Sequence, residues 1–488
     1  MPPPESSLTA APARPDDGVG VRQGWERPLG GAIVIVAAVA GARLGLKPIS
    51  DNSELVHLRT GIQLVNTGHV PHRDPYSFTA AGHPWVVQSW LASLLYGAAN
   101  SIGHHALLLE QAVIFAAVAA VTALAARSTS TWRWGLAALV AISASAPGWS
   151  PRPLMLGLLC LALTILVTER RAHPLWLVPV VWVWVNSHGS FPLGMAWIGA
   201  RTVGDLIDRW GWPRESLRYL GGFAAGLIVA CANPFGTKLL TFPLVAIHKK
   251  STFQGIVEWR SPNFQDTNSF IALVFIAVAL VILLRAALPW RHLLPVAGFV
   301  VAALVPERNL SALGVVLAPA LGLALASAPR RDWVPPAWTF LVARGVAFAG
   351  AAVFTTIFLV RAVGGATLDL SSYPVAAVDD LARTGRLTAA HRVAASDVVG
   401  CFLVWRVGPA TKVFIDDRYD MYPKQVTTDA AILAGARSDS GFVLDQWHID
   451  TVVWSANQAL PQELISLGGW KITWSDPKWV VLERTATV

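Results

Sequence analysis

The sequence predicts a mainly α, polytopic membrane protein of about 11 transmembrane helices that ends in a small extracytoplasmic α/β domain. Three observations predict it. Of 488 residues, 54% are hydrophobic and only 14% are charged, which is too apolar for an ordinary soluble chain. The apolar residues gather in runs of the length a helix needs to cross roughly 30 Å of hydrocarbon. The formal charge of +8 comes from short basic clusters between those runs, so it marks membrane loops and excludes nucleic acid as a partner.

Taken in order, Met1 to Arg27 is rich in Pro, Ala and acidic residues and lacks the apolar core and cleavage site of a removable signal. It is expected to be a disordered cytoplasmic arm. Spans are expected near residues 29–46, 107–126, 134–148, 153–168, 174–187, 191–208, 218–233, 269–286, 292–306, 309–326 and 338–361. The stretch Trp85 to Asn100 is short and carries Gln88, Ser89 and Trp90, as an interfacial helix does. With that stretch lying flat, every loop of one set is basic: Arg127 and Arg133, Arg170 and Arg171, Arg209 to Arg218, Arg285 and Arg291, Arg330 and Arg331. Those loops are expected in the cytoplasm, with the N-terminus inside and the C-terminal domain outside a plasma membrane.

The expected domains are therefore the arm 1–27, a transmembrane domain 28–361 with a first outer loop at 47–106, and an outer α/β domain 362–488. In the tail, Lys412 to Ile415, Thr451 to Trp454 and Trp479 to Leu482 alternate as strands do, with helices near Val398 to Val407 and Pro461 to Leu467. Cys160, Cys231 and Cys401 imply no framework of bridges.

Polar residues capable of chemistry collect on the outer side. In the first loop, Leu55, Leu58, Ile62 and Val65 recur at helical spacing, predicting an amphipathic helix over Asp51 to Asn66 that presents Asp51 and Glu54 to water. Asp51 is open to two readings, a catalytic carboxylate at the membrane surface or the N-cap of a capping box with Glu54. His57, His72 and His83 with Asp51 or Asp74 match no zinc spacing, so a divalent metal is an open alternative rather than a motif. Asp74-Pro75 starts a turn in the plainer reading. Arg152, between Pro151 and Pro153 at the mouth of a span, needs a partner for its charge, and a phosphate or the headgroups would serve. Asn186 to Gly189, including His188, joins two spans where only a cavity or buried protein tolerates polar groups. Glu258 with Arg260, and Glu307 with Arg308, read equally as structural ion pairs. Asp416, Asp417 and Arg418 follow a strand and are placed to touch a saccharide, with a solvated turn as the plainer reading. No Gly-rich phosphate loop followed by Lys occurs, which disfavours an ATP-driven pump or a nucleotide-sugar enzyme.

An acidic residue directly after the first span, a long first outer loop, about a dozen spans and an outer C-terminal domain resemble the GT-C superfamily of polyprenyl-phosphate-dependent glycosyltransferases. The residues that carry the resemblance are Asp51 to Gly61, Gly68 to Ser77, Pro84-Trp85, Arg152-Pro153, Asn186 to Gly189, Asn233 to Gly236 and Glu307 to Asn309. The resemblance implies a GT-C-like fold and a catalytic first-loop acid, which falls on Asp51 with Glu54 beside it. It further implies transfer of a hexosyl or pentosyl group from a polyprenyl-phosphate-linked donor to an outer acceptor, with inversion. Phosphate is already a weakly basic leaving group, so cations matter more to it than a proton donor. Arg152, Arg260 and Arg308 are the expected phosphate ligands, with His57, Arg59, Asp74, His188 and Glu258 shaping the substrate site. A flippase or an envelope-assembly protein for lipid-linked saccharides is the competing expectation.

Overall fold

A computed structural model describes residues 18–249, 260–328, 338–364, 367–408 and 411–485. The first fourteen helices build the membrane part: α1 Gly18–Gly45, α2 Asn52–Thr67, α3 Trp90–Ile102, α4 His104–Ala125, α5 Thr131–Ser145, α6 Leu154–Glu169, α7 Leu177–Ser187, α8 Pro192–Arg209, α9 Arg214–Ala230, α10 Lys238–His248, α11 Thr267–Leu284, α12 Trp290–Ala303, α13 Asn309–Ser327 and α14 Trp338–Gly364. The tail adds α15 Val375–Arg383, β1 Val393–Ala395, α16 Asp397–Val407, α17 Lys424–Ala434, α18 Ser440–Gln446, β2 Thr451–Ser455, α19 Leu460–Leu467, β3 Trp470–Ser475 and β4 Trp479–Arg484.

Each apolar run expected to span is helical, because a helix closes its own backbone hydrogen bonds where lipid offers none. Among the described residues, His105–Ala125, Thr267–Leu284 and Asn309–Ser327 are individually long and apolar enough to cross. They occupy different depths of the bundle. The side chains of α13 from Leu310 to Leu321 are buried, whereas Phe270, Val274, Val278 and Val281 of α11 are exposed, as a lipid-facing helix requires. Helix α1 starts at Gly18, within the stretch expected to be a disordered arm, and residues 1–17 lie outside the described part. At the C-terminal ends of α6 and α8, Arg201 pairs with Glu169, and Asp208 accepts the Trp290 and Arg291 N–H groups at 2.8 and 3.1 Å, capping α12.

The segment expected to lie flat is the helix α3, whose 13 residues extend about 20 Å. It packs on α2 at a glycine contact: a Cβ on Gly61 would lie 1.9 Å from the Ser93 carbonyl oxygen, and one on Gly97 2.2 Å from Gly61. The first-loop helix is present as expected, but its second face is not in water. Glu54 and Thr60 are buried because α3 covers one side of α2 and the tail helix α16 covers another.

The tail forms a four-stranded sheet in the order β1-β2-β4-β3, with β1 parallel to β2 and the remaining pairs antiparallel. The alternating Trp470, Ile472 and Trp474 form the strand β3, which the sequence reading passed over. Lys412 to Ile415 is a linker rather than a sheet strand: Val413 bridges Ser77 on one side and Val393 on the other. Its N–H donates to Tyr76 O at 2.9 Å and its carbonyl accepts the Phe78 N–H at 3.0 Å. Ile49 likewise exchanges backbone bonds with Thr367 and Asp369, and the Tyr373 hydroxyl donates to Ser50 O at 2.9 Å. The tail is thus stitched onto the first outer loop at both ends of α2.

Candidate active site

Asp51 is the N-cap of α2. Its Oδ1 accepts the Ser53 N–H at 3.0 Å, and its Oδ2 pairs with the Arg152 Nε at 2.6 Å. Capping and a place beside a candidate phosphate ligand therefore coincide in one side chain. Arg152 lies in the turn that opens α6, where its carbonyl accepts the Met155 N–H at 2.9 Å. Burial, then the carboxylates of Asp51 and Glu110, raise Glu54 well above the usual carboxylate range, with Arg152 acting weakly the other way. Glu54 thus stands next to the site as a carboxyl whose charged form burial disfavours.

Two histidines face the same region. His57 Nδ1 meets Ser93 Oγ at 3.0 Å, and His188 Nδ1 meets Ser190 Oγ at 2.8 Å. Burial, helped by Arg152, lowers His57 to about 4, and burial with Arg308 and His57 lowers His188 to about 3. Both are neutral imidazoles at neutral pH. Behind His188, Asn186 Oδ1 accepts the Trp90 indole N–H at 2.8 Å and ties α3 to α7.

Asp74 and the tail residue Arg418 form a second charged centre. Asp74 accepts the Tyr76 and Ser77 N–H groups at 3.0 and 3.1 Å, and Arg418 Nη1 approaches its Oδ1 at 2.8 Å. Arg418 also grips Asp416 through Nε at 2.8 Å and Nη2 at 2.6 Å. Its guanidinium stacks over Trp85 at 4.5 Å and Tyr76 at 4.9 Å. The expected solvated turn at 416–418 is instead buried, with the Asp416 side chain 0% and that of Arg418 6% exposed. Two carboxylates and three aromatic rings compensate the cation, so the segment gains more by docking than by hydration.

These groups surround a cavity of about 410 Å³. His57, Arg152, His188 and Arg308 of the sequence-predicted set line it, and Asp417, Arg418 and Asp420 of the tail add to its polar lining. Leu158, Leu161, Leu193, Phe242 and Ile247 make the apolar part. Glu54, Arg59 and Asp74 lie behind the wall, and Arg260 is exposed away from it, its carbonyl accepting the Glu307 N–H at 2.9 Å. Glu307 bonds Ser269 Oγ at 2.7 Å. Glu258 lies outside the described residues. Asp417 and Arg418 were named in the sequence as able to touch a saccharide, with a solvated turn preferred, whereas Asp420 went unrecognised; the dense charge of Asp416 to Asp420, following an alternating run, was the available signal. Among the described residues no three His, Cys, Asp or Glu side chains converge as metal ligands, and no step below is routed through a metal.

The helix bundle, over which the long first loop and the C-terminal domain close a cavity, shares its fold with a solved membrane protein. The crystal structure of ArnT from Cupriavidus metallidurans bound to undecaprenyl phosphate is similar over 95% of this chain and 99% of that one, at 15% identity and a TM-score of 0.50. The apo state of ArnT matches over 96% and 99%, with 16% identity and a TM-score of 0.49. The archaeal oligosaccharyltransferase AglB from Archaeoglobus fulgidus, in complex with an inhibitory peptide and a dolichol-phosphate, matches over 87% of this chain and 69% of its own, with 12% identity and a TM-score of 0.49. No protein-family model and no curated protein matches the chain.

Proposed function

We propose that this protein transfers a hexosyl or pentosyl group from a polyprenyl-phosphate-linked donor to an acceptor on the extracytoplasmic side of the plasma membrane. In this reading the chain crosses about 11 times, with its N-terminus inside and its C-terminal domain outside. The observation that carries it is the make-up of the cavity, whose lining combines Arg152 and Arg308 with leucines, Phe242 and Ile247. A lipid-linked phosphate offers the same two chemistries. The undecaprenyl phosphate bound in the similar ArnT structure supports the same class of ligand.

Arg152 and Arg308 bind the donor phosphate, with Arg260 on the same outer side, and stabilise the charge that develops as the sugar leaves. Phosphate competes with Asp51 for the Arg152 guanidinium, so donor binding loosens their 2.6 Å ion pair. The neutral His57 and His188 offer hydrogen bonds without adding charge, and Asp74 shapes the wall through Arg418. The acceptor hydroxyl attacks the anomeric carbon directly, which inverts it, and yields its proton to a carboxylate beside Arg152. Asp51 is the carboxylate the family resemblance nominates.

The test uses purified protein in lipid with undecaprenyl-phosphate-linked monosaccharides, and follows products by mass spectrometry. A glycosylated acceptor is expected. Movement of the intact donor across the bilayer without a covalent product would overturn the transferase in favour of a flippase.

A further inference from the structure

Two tail carboxylates, Asp417 and Asp420, line the cavity and take no part in the phosphate binding or proton removal assigned to Arg152, Arg308 and Asp51. The cations that act on them are engaged elsewhere. Arg152 pairs with Asp51, Arg418 with Asp74 and Asp416, and Lys249 Nζ donates to the Asp420 and Tyr422 carbonyls. Burial, the largest influence on each, raises Asp417 to about 7 and Asp420 to about 6. Carboxylates in that condition are short of hydrogen-bond donors.

The turn that carries them is fixed. Asp416 and Arg418 bind each other, and Arg418 also holds Asp74. The Asp417 N–H donates to Cys401 Sγ at 3.4 Å, and a Cβ on Gly400 of α16 would fall 1.8 Å from Ile415 O. On the first outer loop, Gln88 gives a separate sign of a ligand. Its Oε1 accepts the Ser89 hydroxyl at 2.8 Å, while its buried Nε2 has no hydrogen-bond partner among the described residues. Gln88 and Gly189 both line the cavity, and a Cβ on Gly189 would lie 3.8 Å from that Nε2. A buried donor left without a partner is costly, and an acceptor on a ligand removes the cost.

Resting on the transferase reading, we propose that Asp417, Asp420 and Gln88 form the subsite for the transferred sugar and select a neutral sugar over a uronic acid. That sugar is bonded directly to the donor phosphate. Asp417 lies close enough to Arg152 and Asp51 to feel both charges, so a phosphate on Arg152 brings the sugar to the tail carboxylates. They accept hydrogen bonds from its hydroxyls, and Gln88 Nε2 donates to one of its oxygens. A carboxylate on the sugar would instead meet two like charges inside a cavity of about 410 Å³. The acceptor proton still goes to Asp51.

The experiment takes the full chain in lipid at about pH 8, where both tail carboxylates are ionised. Calorimetry measures binding of undecaprenyl phosphate and of the same lipid linked to glucose or to glucuronic acid. Wild type should bind the glucuronyl lipid about 10²-fold more weakly than the glucosyl lipid. Asp417→Asn and Asp420→Asn should each weaken the glucosyl lipid about tenfold and narrow that ratio about tenfold, while undecaprenyl phosphate, which has no sugar, keeps its wild-type affinity. Gln88→Leu should weaken both glycosyl lipids by roughly three- to tenfold and keep the ratio. Equal affinities for the two glycosyl lipids in wild type overturn the subsite, as does a ratio unmoved by both aspartate substitutions in protein that binds undecaprenyl phosphate. The wild-type comparison decides by itself where a variant fails to bind that lipid. Products are followed in parallel by mass spectrometry. Wild type that shows the ratio but transfers neither sugar removes the transferase reading and leaves the subsite, whereas transfer of both sugars at equal kcat/KM removes the subsite and leaves the transferase.

Discussion

Replacing Arg418 with Met keeps most of its bulk but removes the charge that holds the tail on the first outer loop. The side chains of Asp74 and Asp416 are 0% exposed and that of Arg418 only 6%, so solvent screens little of the interaction. Loss of the cation leaves two buried carboxylates facing apolar rings, which costs about 3–5 kcal/mol. That cost falls on the docking of 413–422 against 74–85, where Val413 bonds Tyr76 and Phe78. Hydrogen exchange of the Phe78 and Val413 amides should accelerate by roughly two to four decades, while amides deep in α13 stay protected. Asp74→Asn added to Arg418→Met should recover part of the loss, since it removes one of the stranded charges. Wild-type exchange at Phe78 and Val413 in Arg418→Met would refute the claim that this ion cluster secures the tail.

Gly61→Ala should separate α2 from α3, because its methyl would meet the Ser93 carbonyl at 1.9 Å; a cost of about 1–3 kcal/mol is expected in thermal unfolding in detergent. Acid should destabilise the fold through His57 and His188. Each titrates lower when folded, so below about pH 6.5 the unfolded chain takes up protons that the native one refuses, and stability falls as the pH drops toward 4. For His57 the full difference is about 3 kcal/mol, and melting curves of His57→Gln at about pH 5 should show a smaller acid loss than wild type. Arg308→Gln should weaken undecaprenyl phosphate binding by about tenfold or more, measured by calorimetry, as one charge-assisted hydrogen bond from the cavity wall is lost.

The bundle was legible in the sequence because lipid imposes a local rule. Any run of about 20 apolar residues must close its own hydrogen bonds, so the runs from Leu29 onward are helices whatever they touch. Helix α2 was legible for a similarly local reason, its apolar spacing and the cap at Asp51. Strands β2 and β4 followed from alternation. Arg152 and Arg308 were recognisable as charges at the mouths of spans, where their cost demands a partner.

What lay beyond local rules was the fate of groups whose partners are far away in sequence. Thr79 Oγ1 donates to Phe414 O across 335 residues, and that docking is what buries Arg418. The same closure covers Glu54, turning an apparently water-facing acid into a buried one whose pKa is raised. It also brings Asp417 to a wall that the first loop alone leaves open. Sequence periodicity by itself determined the helices, the amphipathic first loop and the acid that caps it, because those depend on neighbours within a turn or two. Only the tertiary structure decided which carboxylates are buried and which meet the cavity, because desolvation and pairing depend on what packs across from each side chain.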